Sequence, residues 1–138
     1  MAITRTETQV TWPTAADYKD VTTGGNETSE EINLDATCIS ARISLKADNQ
    51  STPASDDIIY VWLLETSGDP DGASTDEFDT IGHATLLAIL NTDTEDPAGE
   101  TVQFPVPQKG AKLYAEGVTA GTTNTIRVSA TITEQRAA

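Results

Sequence analysis

The sequence predicts an all-β protein: a two-sheet antiparallel sandwich of about eight strands, jelly-roll or related in topology, with an extended N-terminal arm. Three observations predict it. Apolar residues recur with period two in the clearest segments, which collects them on one face of a strand and would scatter them around a helix. Threonine is abundant, and its branched Cβ suits a pleated surface. Glycine, proline and aspartate punctuate the chain at short intervals and cut it into strand-length pieces.

Residues 3–12 form a Thr-rich extended stretch that ends at Pro13. Residues 14–28, with Gly24-Gly25-Asn26, have the composition of a link, so residues 1–28 are expected to be an arm that lies over its own sheet or crosses to a neighbour. The sandwich proper is expected over residues 29–138. Residues 30–35 are a short strand candidate. In residues 39–46, Ile39, Ala41, Ile43 and Leu45 alternate with Ser40, Arg42, Ser44 and Lys46, which is the pattern of a half-buried antiparallel strand. Residues 58–64 (Ile-Ile-Tyr-Val-Trp-Leu-Leu) have no polar face at all, which suits a central strand whose outer face is also covered, for instance by another subunit. Residues 83–90 carry propensities for either a short helix or a buried strand; the strand is the reading adopted. Residues 101–106 and 112–118 are further strand candidates. Residues 125–133 alternate cleanly, with Ile126, Val128, Ala130 and Ile132 on one face and Arg127, Ser129, Thr131 and Thr133 on the other.

Charge narrows the partners. Twenty-two aspartates and glutamates against eight lysines and arginines give a formal charge of −14. Affinity for nucleic acid or an anionic membrane comes from clustered cations, and here Arg42, Lys46, Lys109 and Lys112 are scattered among acids, so neither is an expected partner. The same charge keeps a protein soluble before assembly and favours a basic or mixed-charge protein surface as its partner. The amino terminus has no apolar core or cleavage pattern, so no secretory signal is expected, and the apolar run near residues 84–90 is too short to span a bilayer.

Residues with chemical potential are few. Cys38 is the one cysteine and cannot form an internal disulfide; with Ala36, Thr37 and Ile39 as neighbours it reads as a packing residue. His83 is the one histidine, at the start of an apolar run, so nucleophilic triads and nitrogen or sulfur metal sites lack their parts. No phosphate-cradling glycine loop is present, and among so many acids a pair of carboxylates carries no signal. The expectation is a protein without enzymatic activity and without a cofactor. The one metal candidate is the loop at residues 67–79, where Asp69, Asp71, Asp76 and Glu77 around Gly72 offer the oxygen ligands that calcium prefers. Its spacing lacks the later ligands of a full calcium loop, and the competing reading is a solvated acidic hairpin tip turned by Pro70-Asp71-Gly72. The acidic loop at residues 91–100 has the same two readings.

The sandwich pattern, the Thr-rich start, the run Ile58 to Leu64, the acidic loop Asp69 to Asp79 and the ending Ala120 to Ile132 together resemble small virion structural proteins of tailed bacteriophages, mostly head decoration or cement proteins. The likeness covers most of the chain and is one of texture and strand order. It implies a β-sandwich made in the host cytoplasm and docked on the virion's capsid surface, with the major capsid protein as partner, a trimer or dimer of its own, and no catalytic residues. Docking is then expected from the arm, through Ile3, Val10, Trp12 and Tyr18, and from the sheet face carrying Tyr60, Trp62 and Leu64, since aromatic residues anchor interfaces. For Trp62 a place in the core is the competing reading. The alternative function is a tail, fibre or other carbohydrate-binding adhesion module, with a calcium-stabilised loop at residues 69–79.

Overall fold

A computed structural model describes residues 2–14, 16–68, 77–78, 84–106 and 110–137. The described residues contain no helix, and so none long and apolar enough to cross a membrane. They form ten strand segments: β1 (Ile3–Gln9), β2 (Lys19–Thr22), β3 (Asn26–Thr28), β4 (Cys38–Asn49), β5 (Ile58–Gly68), β6 (Glu77–Phe78), β7 (Thr85–Asn91), β8 (Ala98–Phe104), β9 (Ala111–Gly117) and β10 (Thr125–Ala137). All pairings are antiparallel.

Two sheets result. Sheet 1 runs β1-β10-β4-β8, with β2 pairing the first half of β10 where β1 pairs the second half. Sheet 2 runs β3-β9-β5, with β7 on the far side of β5 and the two-residue β6 pairing the end of β5. If β1 and β2 are one edge strand interrupted at residues 10–18, and β6 is set aside, eight strands remain. Their order, first-eighth-third-sixth over second-seventh-fourth-fifth, is that of a jelly roll. The two-sheet sandwich expected from the sequence is therefore the architecture observed.

The core forms where the two sheets' apolar alternations meet. Ile43, Leu45, Ile126, Val128 and Ile132 from sheet 1 face Ile59, Val61, Leu63, Leu90 and Leu113 from sheet 2 in one buried cluster. Phe104 and Trp12 are the largest side chains in it, and both are sealed from solvent. The Thr-rich start is extended, as its composition predicts, but it is paired within its own domain: β1 adds to sheet 1 through seven consecutive partners, from Ile3 opposite Ala137 to Gln9 opposite Thr131. The chain then tucks Val10 and Trp12 into the core, with a backbone bridge from Trp12 to Ala16. At Gly24, with φ of 81°, it turns out of sheet 1 and into sheet 2. Gly117 on β9 sits so close beneath this crossing that a Cβ there would collide with the Thr22 carbonyl.

Residues 30–35 do not form a strand. Ile32 makes a single bridge to Ala111 and reaches the core, while its neighbours wrap the sandwich edge. The ambiguous run at 83–90 is a strand, β7, as adopted from the sequence. Val61 and Trp62 of β5 straddle a bulge against β7, which lets Trp62 lie opposite Leu86 and Tyr60 opposite Ile89 on one face.

Candidate functional site

The outer face of sheet 2 differs from an ordinary solvated sheet face. β5 points Ile59, Val61 and Leu63 into the core, so by alternation Tyr60, Trp62 and Leu64 fall on the other face, where Tyr60 and Trp62 are half-buried and Leu64, expected from the sequence to dock, is itself buried outside the core cluster. Register places Tyr114 of β9 beside Trp62 and Ile89 of β7 beside Tyr60. Ile89 is 51% exposed and Leu86 is 42% exposed, large values for aliphatic residues beside aromatic ones. Lys112 and Glu116 on β9 bound the strip, opposite Leu64 and Tyr60 respectively. An apolar strip with a charged margin is the surface that a protein partner covers.

Its aromatic geometry narrows the chemistry. The rings of Tyr60 and Trp62 meet edge to face, with centroids 6.4 Å apart and planes at 80°. That arrangement packs the pair tightly but does not lay the two rings flat as a shared platform for a sugar. The Trp62 indole Nε1 is buried without a hydrogen-bond partner among the described residues, and Trp62 lies outside the core cluster. The second tryptophan, Trp12, also has an unpartnered Nε1, but inside the core.

A second polar arrangement lies buried at one end of the sandwich. Asp57, which leads into β5, is fully buried. Its Oδ2 accepts from Asn49 Nδ2 at 2.9 Å, Asn124 Nδ2 at 2.6 Å and the Ala54 N–H at 2.9 Å. Thr92 donates its hydroxyl and its N–H to the Asp57 carbonyl at 2.8 and 3.0 Å. Asn49 ends β4, Asn124 precedes β10, and Thr92 follows β7, so one carboxylate ties strands of both sheets. Burial pushes the Asp57 carboxyl upward, but the bonds from Asn124, Ala54 and Asn49 outweigh it and hold the group below its ordinary value. Oδ1 has no partner among the described residues. The donors are neutral amides, and no basic side chain among the described residues joins them, which makes the knot a tether between sheets.

At another edge, Glu134 of β10 is buried and accepts from the Asp35 N–H at 3.0 Å and from Arg136 at 3.3 Å. Cys38 lies close by, half-buried against the core. Burial, then the charge of Glu134, pushes its thiol above the ordinary value, which disfavours the thiolate.

The residues singled out from the sequence are dispersed. Tyr60 and Trp62 share the outer face of sheet 2. Ile3 is exposed at the start of β1, on sheet 1. Tyr18 is exposed with the Arg127 guanidinium stacked 4.0 Å from its ring centre, and Arg127 in turn holds Asp20 through two bonds. Val10 and Trp12 are core residues: Trp12 is 0% exposed, so neither reaches a partner without unfolding the sandwich edge. Asp69, Asp71, Asp76 and His83 lie outside the described residues, and Glu77 is described only as the first residue of β6. Among the described residues, no three histidine, cysteine, aspartate or glutamate side chains are grouped to hold a metal.

Compared with known proteins, the chain matches no family model, and no curated protein is similar to it in sequence.

Proposed function

We propose that this chain is a structural protein without enzymatic activity that decorates or cements the outer surface of a bacteriophage capsid, docking on the major capsid protein. The observation that carries the docking part is the outer strip of sheet 2, where Tyr60, Trp62, Tyr114, Leu86 and Ile89 adjoin one another in the sheet register. An exposed apolar strip in an otherwise acidic chain costs solubility unless a partner covers it. The capsid as partner rests on the resemblance of the chain's texture to small phage virion proteins and on a charge of −14, which keeps free subunits apart before assembly. In this reading the protein assembles as a trimer or dimer, in step with the lattice that carries it.

The test is binding of the purified protein to empty capsids from its source, followed by sedimentation. Saturable co-sedimentation at a fixed ratio to the capsid subunit, lost with Trp62→Ala and kept with Thr131→Val, supports the reading. Failure to bind capsids, or binding indifferent to Trp62→Ala, contradicts it.

A further inference from the structure

The outer face of sheet 1 holds two arginines without partners among the described residues. Arg127 is satisfied by Asp20, and Arg136 by Glu134 and Asp35. Arg5 and Arg42 have no ion pair or side-chain hydrogen bond among the described residues, in a chain where acids outnumber bases 22 to 8. Both line one broad concavity of about 640 Å³ whose other walls are hydroxyls, amides and Ala41. That volume falls in the range of small-ligand sites.

The sheet register fixes how the two arginines face each other. Arg5 lies opposite Gln135, which lies opposite Ser40; Arg42 lies opposite Thr133 and Gln103. The two are thus two strands apart and two residues out of step, about 12 Å between Cα atoms at ordinary sheet spacings. Arginine side chains are long enough to reach a common ligand across that span, and both line the concavity with Thr133 and Gln135. Ser40 donates to Gln135 Oε1 at 3.2 Å, which leaves the Gln135 amide N–H groups to point elsewhere. The concavity is therefore rich in donors, spread over all four strands from β1 through β10 and β4 to β8, and free of lining acids; Glu7, the next residue on that face of β1, does not line it.

We propose that this face binds a carboxylate-bearing saccharide, with the guanidiniums of Arg5 and Arg42 gripping the carboxylate and Thr133, Gln103 and Gln135 bonding the ring hydroxyls. A guanidinium matches a carboxylate in two parallel bonds, and a wall of hydroxyls and amides offers the mixed donors and acceptors that a polyol needs. A single phosphate would fill little of the space. An acidic peptide brings several charges into the field of a protein at −14, with Glu7 and Asp48 on the same face, whereas an isolated carboxylate on an otherwise neutral sugar meets only the two arginines. The site is on the opposite side of the sandwich from the sheet 2 strip and does not depend on the capsid reading.

The test is titration of the whole chain at low ionic strength, followed by backbone NMR shifts and calorimetry, with four probes: a hyaluronan tetrasaccharide for uronate, 3′-sialyllactose for sialate, lactose as the neutral control, and hexaglutamate for a peptide source of carboxylates. The proposal expects at least one acidic saccharide to bind, with shifts confined to the strands around Arg5, Arg42, Gln103 and Thr133, and no response to lactose. Arg5→Gln with Arg42→Gln, both on an open surface, should weaken that binding on the order of tenfold or more while leaving the circular dichroism spectrum unchanged. Arg42→Lys, which keeps the charge but loses the fork, should weaken it as well. No binding of either acidic saccharide at millimolar concentration, equal binding of lactose, tighter binding of hexaglutamate, or affinity unchanged in the double variant would each overturn the proposal.

Discussion

The two outward faces of this sandwich are built by the same alternation and carry opposite chemistry. On sheet 1 the outward positions of β4 and β10 are mostly serine, threonine, glutamine, arginine and lysine, with Asp48 beside Arg127 and Arg127 bridged to Asp20. On sheet 2 the outward positions over residues 58–64 of β5 and 86–89 of β7 are tyrosine, tryptophan, leucine and isoleucine. Core formation requires only the inward half of each alternation, so the outward half of β5 is not explained by folding stability. At the half-buried Tyr60 and Trp62 a polar residue would keep the alternation intact at a modest cost, as Ser44 and Thr131 do on the other side. The surplus apolar surface is therefore the part of the chain that points to a partner.

Neighbouring residues on β5 provide the sharpest contrast. Leu63 is 1% exposed in the core, and Leu63→Ala should cost about 3 kcal/mol of unfolding free energy in urea. Trp62, one residue away but on the outer face, should cost about 1 kcal/mol on truncation to alanine and yet weaken partner binding on the order of thirtyfold. Equal destabilisation by the two substitutions would place Trp62 in the core and erase the distinction between the faces.

The buried tether gives an intermediate effect. Asp57→Asn should cost about 2 kcal/mol, because all three donors to Oδ2 lose their charged acceptor. Since the folded protein holds this carboxyl below its ordinary value of 3.8, its stabilisation is fully present above that value. It is lost as pH falls from there through the lowered folded value. The wild type should therefore lose stability on acidification more steeply than Asp57→Asn, which urea midpoints measured between neutral and acid pH will show; parallel curves would contradict the tether. The smallest effect belongs to sheet 1. Thr131→Val removes an exposed hydrogen bond to Gln9 and should change stability by about 0.5 kcal/mol or less, with capsid binding unchanged.

What was legible in the sequence follows the distance over which each feature is decided. The strands β4 and β10 are written in local alternation and could be read directly; β5 was legible as the fully apolar run at 58–64 that became a central strand, and β7 came from a run whose propensities also allowed a helix. β1 was not legible as a sheet member, because its threonines and charges leave no apolar face and its partner lies some 125 residues away on β10. Val10 and Trp12 were read with the arm for the same reason, although two large apolar residues in a polar stretch are the signal that the chain dips inward there. The tether was invisible for a different reason. Asn49, Asp57, Thr92 and Asn124 each sit beside a turn, where such residues are common, and only the folding of both sheets brings them together. The unpaired state of Arg5 and Arg42 is likewise a property of the register, since acids are plentiful in the sequence on every side of them.

The central claim is that the outer face of sheet 2 is the docking face. Imaging capsids saturated with the protein by electron cryomicroscopy, at a resolution that separates the two sheets, tests it most directly. Docking through sheet 2 requires regular lattice density with the strip of Tyr60, Trp62, Leu86 and Ile89 against the shell and sheet 1 turned to solvent; density oriented with sheet 1 inward, or no ordered density on the capsid, would contradict it.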